Sequence, residues 1–208
     1  MGTYENARKA TREKIIRAFW ELYQEQPINK ITVKQLTEKC EIHRGTFYIH
    51  FQDMYSILNE IEANLLENLR KIDELYHNNL GSLAMYGQTL YDCFQSEKEY
   101  LRVLVLNRRD PFFSQKYLAH LKEHVLNICI ADNSKNCGEK ELAVLDIAVS
   151  SIVDVLLYSI CNSTLTIEEI NELISGFIQN GFFVTLSNKF DIKGMNNPFS
   201  SEFWKKQN

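Results

Sequence analysis

The sequence predicts an all-α protein with two parts, a short N-terminal unit of three helices and a longer helical remainder. Breakers are rare, with 8 Gly and 3 Pro in 208 residues, and a β-rich fold needs more turns than these residues supply. Apolar residues recur at steps of three and four, and clear helix-start signals stand before several of these runs. Together these observations favour long helices.

The first helix is predicted to run from about Thr11, or earlier, to about Gln26. Its apolar residues share one broad face: Ile15, Ile16, Phe19, Trp20 and Tyr23. Pro27 ends the helix because proline disfavours helical backbone at the residue before it.

Two short helices follow, separated by a tight turn. Thr32 and Gln35 have the spacing of a capping box, and Ile31 and Leu36 occupy the positions of a hydrophobic staple. This second helix ends near residue 40, and a third covers about residues 43–50. A braced pair of short helices with this spacing is typical of a helix-turn-helix.

The rest of the chain is predicted to be helical as well. Asp53 is a good N-cap for a long fourth helix, and Thr166 with Glu169 forms a second capping box before a last helix over 167–186. Between them we expect helical segments near 82–96, 97–109, 111–132 and 139–162. The predicted domains are residues 1–52, residues 53–193 and a polar tail over residues 194–208.

Charge is unevenly distributed along the chain. Residues 1–50 hold nine Lys/Arg and six Asp/Glu, whereas the remainder holds 14 basic and 21 acidic residues, for a total charge of −4. A basic end on an acidic chain is typical of a polyanion-binding module joined to a solvated body.

Several classes of protein are disfavoured. The five cysteines are scattered and form no C-x-x-C, so neither a zinc ribbon nor a disulfide framework is expected. The start lacks a signal-peptide pattern, and Asp146 and Asp154 interrupt the most apolar stretch, so we expect a cytoplasmic protein without a membrane span. His120 and His124 lie four apart but complete no zinc motif, and neither a metal nor a cofactor is predicted.

The third helix divides into two sides. Phe47 and Phe51 are four residues apart and should anchor it to the first two helices. The opposite side then presents a mixed set of residues: Arg44, Gly45, Thr46, Tyr48 and Ile49.

That mixed side fits the major groove of duplex DNA. Ile49 can contact a thymine methyl while Gly45 permits close approach, and Arg44 can read guanine. Three further side chains are placed to donate to phosphate oxygens: Thr46, Tyr48 and His50. The competing interpretation is a small aromatic core that has no role in binding.

Two runs of residues resemble the N-terminal signature of the TetR/AcrR repressor family. They are residues 31–36 and, more specifically, the string Arg44-Gly45-Thr46-Phe47-Tyr48-Ile49-His50-Phe51. The resemblance covers about residues 11–60, and beyond them the chain is similar to the family only in helical layout.

The resemblance implies which residues face DNA: Lys34, Arg44, Thr46, Tyr48 and His50. It also implies a homodimer built on helices 139–162 and 167–186, a near-palindromic double-stranded operator, and release or retuning by a small-molecule effector. In this family mid-chain aromatic residues often line the effector cavity, here Tyr86, Tyr91, Phe94, Phe112, Phe113 and Tyr117. Aromatic residues at helical spacing are nevertheless more often core than pocket.

Three positions depart from the family pattern. Glu41 stands in the turn where glycine is usual, so a left-handed backbone there would be strained. His43 replaces the usual serine cap of the third helix, and Met54 stands where a phosphate-contacting lysine is expected. Loss of one phosphate contact should flatten the salt dependence of DNA binding by about 0.9 units.

Three alternatives to a repressor remain: an enzyme, a helical scaffold and an activator of the same family. The sequence contains no G-x-S-x-G elbow or phosphate-binding glycine loop, so an enzyme is not favoured. A helical scaffold that acts through a protein partner is favoured only by the acidic body and the absent lysine. Residues 107–113 are similar to a branch of the family that includes a coactivator, so activation stands beside repression.

Overall fold

The computed structural model describes residues 2–79, 83–107, 109–131 and 138–162, together with residues 164–166, 168–170, 172–174 and 176. The chain divides into two compact units, Met1–Gly81 and Ser82–Asn208. Every regular element in the described ranges is a helix, which confirms the predicted all-α class. The predicted boundary at residue 52 divides the chain by function and not by compactness, and it stays a prediction.

The N-terminal unit contains four α-helices: α1 Gly2–Glu25, α2 Val33–Cys40, α3 Arg44–His50 and α4 Met54–Asn79. A short 3-10 turn, Ile28–Lys30, precedes α2. α1 begins earlier than predicted and ends just before Pro27, as expected from the restriction that proline places on its predecessor.

The start of α2 has the predicted capping box. The main-chain N–H of Thr32 donates to Oε1 of Gln35 at 2.9 Å, and the N–H of Gln35 donates to Oγ1 of Thr32 at 3.2 Å. Ile31 and Leu36, the predicted staple pair, are both buried. Two otherwise unsatisfied donors of the first turn are therefore bonded within the segment itself.

The start of α4 is capped in a similar way. The N–H of Ser56 donates to Oδ1 of Asp53 at 2.7 Å, and the N–H of Asp53 donates to Oγ of Ser56 at 3.2 Å. The helix then buries a stripe at helical spacing: Ile57, Ile61, Leu65, Leu69 and Ile72.

The core of this unit lies where α1 packs against α2 and α4 and where α2 packs against α3. Its completely buried side chains are Ile15, Phe19, Leu36, Cys40, Phe47 and Ile57. Each large apolar side chain buried in this way contributes about 1.5–3 kcal/mol. The small unit is therefore held mainly by the inner sides of its helices.

The C-terminal unit contains α5 Leu83–Leu101, a π-helical turn Arg102–Leu106, α6 Pro111–Ala131 and α7 Glu139–Asn162. The expected break between 82–96 and 97–109 is wrong, because α5 continues through it directly into the π-helical turn. The polar residues around that point include no glycine or proline, so nothing in them interrupts the helix. α6 and α7 lie within a residue or so of their predicted ranges.

Two helix starts in this unit follow their sequence signals. Asp110 caps α6 by accepting from the N–H of Phe113 at 2.9 Å, and Pro111 occupies the first helical position. Thr166 and Glu169 form the second predicted capping box, with bonds of 2.8 and 3.3 Å. Described residues between 168 and 176 are helical, while the rest of the predicted last helix and the tail over 194–208 lie outside the described residues.

Features of membrane and metal-binding proteins are absent from the described residues. No helix there combines the length and hydropathy that crossing a bilayer requires. No group of three His, Cys, Asp or Glu side chains within the same residues converges as ligands for a metal ion.

Candidate nucleic-acid interface

The inner side of α3 is formed by two phenylalanines, as predicted. Phe47 is completely buried, Phe51 is 4% exposed, and their ring centroids are 6.4 Å apart. Since these residues are four apart, they fix the rotation of α3 about its own axis. The residues on the other side of the helix are consequently turned away from the core.

The other side of α3 is open. The side chain of Ile49 is 68% exposed, and that of Tyr48 is 48% exposed. A Cβ placed on Gly45 would meet no atom within 4 Å. We call the surface formed by Arg44, Gly45, Tyr48 and Ile49 the free face of α3, and it could accept the close approach of another molecule.

Two residues of the free face form a pair. Nη2 of Arg44 donates to the hydroxyl oxygen of Tyr48 at 3.1 Å, and the guanidinium carbon lies 5.6 Å from the ring centroid. These contacts hold the Arg44 side chain against Tyr48, one turn further along the helix. The phenol proton of Tyr48 stays available to donate to an acceptor outside the protein.

The remaining predicted DNA contacts lie around the free face with differing exposure. Lys34 on α2 is exposed, with Nζ 3.8 Å from a carboxylate oxygen of Glu38, and Thr46 is half-buried. The Nδ1 atom of His50 is buried and has no hydrogen-bond partner among the residues that the structure describes. Burial, followed by the charges of Arg12 and Arg8, lowers the pKa of His50 from its usual value of 6.5, so the ring is neutral at pH 7.

The three departures from the family pattern have visible structural counterparts. Glu41 has φ 51° and ψ 45°, a left-handed backbone at the end of α2, and the N–H of Ile42 donates to the carbonyl of Thr37 at 3.1 Å. His43 makes no side-chain hydrogen bond to the start of α3. Met54 is buried, so its side chain packs inside the unit instead of projecting toward a ligand.

Sequence reasoning missed one residue beside α3. Arg12 on α1 donates from Nη1 to the carbonyl oxygen of His50 at 2.8 Å, and its guanidinium forms a two-pronged ion pair with Glu60 of α4. The guanidinium carbon also lies 4.3 Å from the ring centroid of Phe51. Because Glu60 is 48 positions away, no local pattern could have revealed this contact.

The predicted effector residues do not share one environment. Phe94, Phe113 and Tyr117 are buried, and the rings of Phe113 and Tyr117 are 5.7 Å apart, whereas Phe112 is 87% exposed. Tyr91 is half-buried, and the side chain of Tyr86 lies outside the described part of the structure. The buried residues suit a core as well as a pocket, so the effector assignment stays a prediction.

An open cavity of about 500 Å³ lies along α6. It is lined by Pro111, Ser114, Gln115, Leu118, Ala119 and Lys122. None of the six predicted effector residues is among them.

α7 carries large apolar side chains on its surface. Val144, Ile147 and Tyr158 are each at least 64% exposed. Ser151 and Asp154 continue the same three- and four-residue spacing between them, so these residues form one stripe along α7.

A braced pair of short helices, the second with one open side, defines a helix-turn-helix protein of the DNA-binding class. The family model for bacterial regulatory proteins of the tetR family matches residues 15–61, which include all of α2 and α3. The N-terminal unit therefore contains a segment similar to the helix-turn-helix of the TetR family of bacterial regulatory proteins. The matched model describes regulatory proteins, which agrees with the expectation of a regulator over the expectation of an enzyme.

One curated relative and two solved structures can be compared with the chain. It is 29% identical over 72 residues to the uncharacterized HTH-type transcriptional regulator YxbF of Bacillus subtilis (strain 168). That alignment covers 34% of this chain and 19% of YxbF, so the chain spans about a fifth of the length of this relative.

The alignments to two solved structures cover most of each chain, with TM-scores under 0.5. The dihydroxyacetone kinase operon activator DhaS has a TM-score of 0.49 at 20% identity, covering 86% of this chain and 95% of its own. Thermus thermophilus FadR, a TetR-family transcriptional repressor in complex with lauroyl-CoA, has a TM-score of 0.47 at 18% identity, covering 83% of this chain and 95% of its own.

Proposed function

We propose that the chain regulates transcription by binding a near-palindromic operator as a homodimer, with α3 in the major groove. The observation that carries this proposal is the free face of α3, opposite two buried phenylalanines in a TetR-family motif. An exposed isoleucine is unfavourable in water, but it gains contact when it meets a thymine methyl.

Base reading is assigned to three residues of the free face. Gly45 lets the backbone of α3 approach the base edges, where Ile49 can contact a thymine methyl. Arg44 donates two parallel hydrogen bonds to guanine from the first position of the helix. Its bond to Tyr48 limits the conformations of the long side chain before DNA arrives.

Phosphate contacts are assigned to the residues around that face: Lys34, Thr46, Tyr48 and His50. Lys34 supplies a charge, whereas the hydroxyl groups and the neutral imidazole supply hydrogen bonds. His50 adds no positive charge at pH 7, because its pKa is lowered. The salt dependence of binding therefore reports chiefly on lysine and arginine contacts.

Dimerisation and effector control belong to the C-terminal unit in this proposal. The stripe on α7, with exposed Val144, Ile147 and Tyr158, suits a symmetric contact with a second copy of the chain, together with the predicted last helix. A small apolar effector bound near Phe94 and Tyr117 would release the protein from DNA only under one condition. It would have to bind the dimer conformation that does not fit DNA more tightly than the conformation that does. We assign repression as the output, with activation as the outcome that a promoter assay would distinguish.

The test is binding of the full chain to duplex DNA from upstream of its own gene, measured over a salt series. We expect sequence-selective binding that weakens steeply with salt, as release of condensed counterions requires. A flat, sequence-blind response would instead support a helical scaffold that acts through a protein partner.

Two single variants test the assignment of contacts. Arg44→Ala should weaken binding by about 1–3 kcal/mol and relax the preference at one base pair, whereas Tyr48→Phe should weaken binding to all sequences alike. Arg70→Ala is the control, because Arg70 is exposed on α4 and pairs with Glu67 and Glu74. If both α3 variants bind like the control, the proposed contacts are wrong.

A further inference from the structure

One arginine connects α1, the end of α3 and α4 in the N-terminal unit. Nε of Arg12 donates to Oε1 of Glu60 at 2.9 Å, and Nη2 pairs with the second carboxylate oxygen. Nη1 donates to the carbonyl oxygen of His50, the last residue of α3, at 2.8 Å. The guanidinium plane also covers the ring of Phe51, which follows α3 directly.

This contact set uses chemistry that only arginine supplies. A planar guanidinium can serve a carboxylate with two parallel bonds while a third N–H serves a carbonyl. The carbonyls at the C-terminus of a helix carry partial negative charge and lack partners within the helix, so a cation there is stabilising. The two side chains are only 38% and 25% exposed, so solvent competes incompletely for these bonds.

The other end of α3 has no comparable side-chain contact. The side chain of His43, at the N-cap position, accepts no hydrogen bond from the first turn of α3, and Phe47 is the one buried residue within α3. With seven residues, α3 is too short to be stable alone, so its orientation depends on contacts with other elements. Among the described residues, such contacts include the buried rings of Phe47 and Phe51 and the bond from Arg12.

We propose that Arg12, held in place by Glu60, is a positioning residue that fixes the angle at which α3 presents its free face to DNA. The inference rests on the proposed function, because it assumes that α3 enters the groove. Base contacts need donors and acceptors within about 3 Å, so a small tilt of α3 loses several of them together. Glu60 also makes the orientation of α3 depend on the position of α4.

The same contact supplies an independent measurement through His50. Burial of the His50 ring, followed by the charges of Arg12 and Arg8, holds the pKa of His50 below 6.5. A variant that keeps a positive charge at position 12 leaves this pKa low, whereas a neutral one raises it. Charge and geometry can therefore be separated experimentally.

The experiment compares four variants of the full chain: Arg12→Lys, Arg12→Gln, Glu60→Gln and Glu21→Gln. Glu21→Gln is the matched control, because it breaks the 2.8 Å ion pair with Lys39 between α1 and α2 and leaves α3 untouched. The probe is a fluorescent duplex enriched by the wild-type protein from a random-sequence pool. NMR titration of the His50 ring gives its pKa in each variant, and circular dichroism checks that each is folded.

We expect Arg12→Lys and Glu60→Gln to bind the duplex about tenfold more weakly than the Glu21→Gln control, with an unchanged salt slope because no phosphate contact is removed. Arg12→Lys should retain the low His50 pKa, and Arg12→Gln should raise it. A purely stabilising contact would lower the unfolding midpoint of these variants without changing the affinity of the folded protein.

The outcomes separate this inference from the proposed function. If the wild-type chain enriches a duplex and both Arg12→Lys and Glu60→Gln bind it as tightly as Glu21→Gln, the positioning role is wrong and DNA binding stands. If the wild-type chain enriches no sequence and shows no salt-dependent binding, the proposed function fails and the positioning role fails with it. Should Arg12→Gln not fold, the two conservative variants still decide the matter.

Discussion

α2 and α3 are consecutive helices of similar length, yet they are held in different ways. α2 has a complete capping box at its start and buries Leu36, Thr37 and Cys40. α3 has no side-chain cap and buries Phe47 alone, and its last carbonyl accepts a bond from Arg12. Both helices pack on their neighbours, but α2 also has a capping box within its own segment, whereas α3 has no side-chain cap and buries fewer residues.

The difference has a functional consequence for α3. Because few side chains of α3 are buried in the core, the others are exposed and can contact a partner. The corresponding disadvantage is that α3 has little stability of its own. Substitutions in the two helices should therefore affect stability and DNA binding in different proportions.

The largest expected effect on stability is at the inner side of α3. Phe47→Ala should destabilise the N-terminal unit by about 3–5 kcal/mol, because it removes a completely buried ring and leaves a cavity. Ile49→Ala, on the free face of the same helix, should change stability by less than about 0.5 kcal/mol. Urea unfolding followed by Trp20 fluorescence, in a Trp204→Phe background, measures both.

Equal effects from Phe47→Ala and Ile49→Ala would contradict the division of α3 into an inner side and a free face. A useful second measurement is DNA affinity. Ile49→Ala should reduce it although the protein is as stable as wild type.

A smaller effect should distinguish the two helix starts. Thr32→Ala removes the capping box of α2 and should cost about 1 kcal/mol, whereas His43→Ala removes no cap and should cost almost nothing. His43→Ser should instead stabilise α3, by up to about 1 kcal/mol, because serine can accept from the first turn. Thermal unfolding of the three variants tests the ranking, and a loss at His43 as large as that at Thr32 would overturn it.

The smallest effect is expected in the turn between the helices. Glu41 adopts a left-handed backbone that disfavours residues with a Cβ, so Glu41→Gly should stabilise the unit by about 0.5–1 kcal/mol. The ion pair of Glu41 with Lys14, 3.6 Å long and largely exposed, offsets little of this gain. Glu41→Ala is the matched control, since it removes the same carboxylate and keeps the Cβ. Equal unfolding midpoints for the two variants would show that the backbone is not strained.

Most of the N-terminal unit could be predicted from the sequence because its signals are local. The starts of α2 and α4 depend on residues three apart, and the burial of Phe47 and Phe51 follows from their spacing. The Arg12–Glu60 pair could not be predicted, because it joins helices that become neighbours only in the folded unit.

Prediction was less complete in the C-terminal unit for physical reasons. The start of α6 was predicted correctly, since Asp110 and Pro111 form a local signal. The π-helical turn after Leu101 was not, because no residue type marks that hydrogen-bonding pattern. Aromatic spacing likewise does not separate core from pocket, so the sequence does not distinguish buried Phe94 from exposed Phe112.

The central claim is that the free face of α3 meets DNA, and an NMR titration of the full chain with the enriched duplex tests it most directly. The account predicts that the amides of Gly45 and Ile49 and the methyl groups of Ile49 shift most. It also predicts that Leu36, buried in α2, changes little. Large shifts elsewhere, with the signals of α3 unmoved at saturation, would contradict the claim.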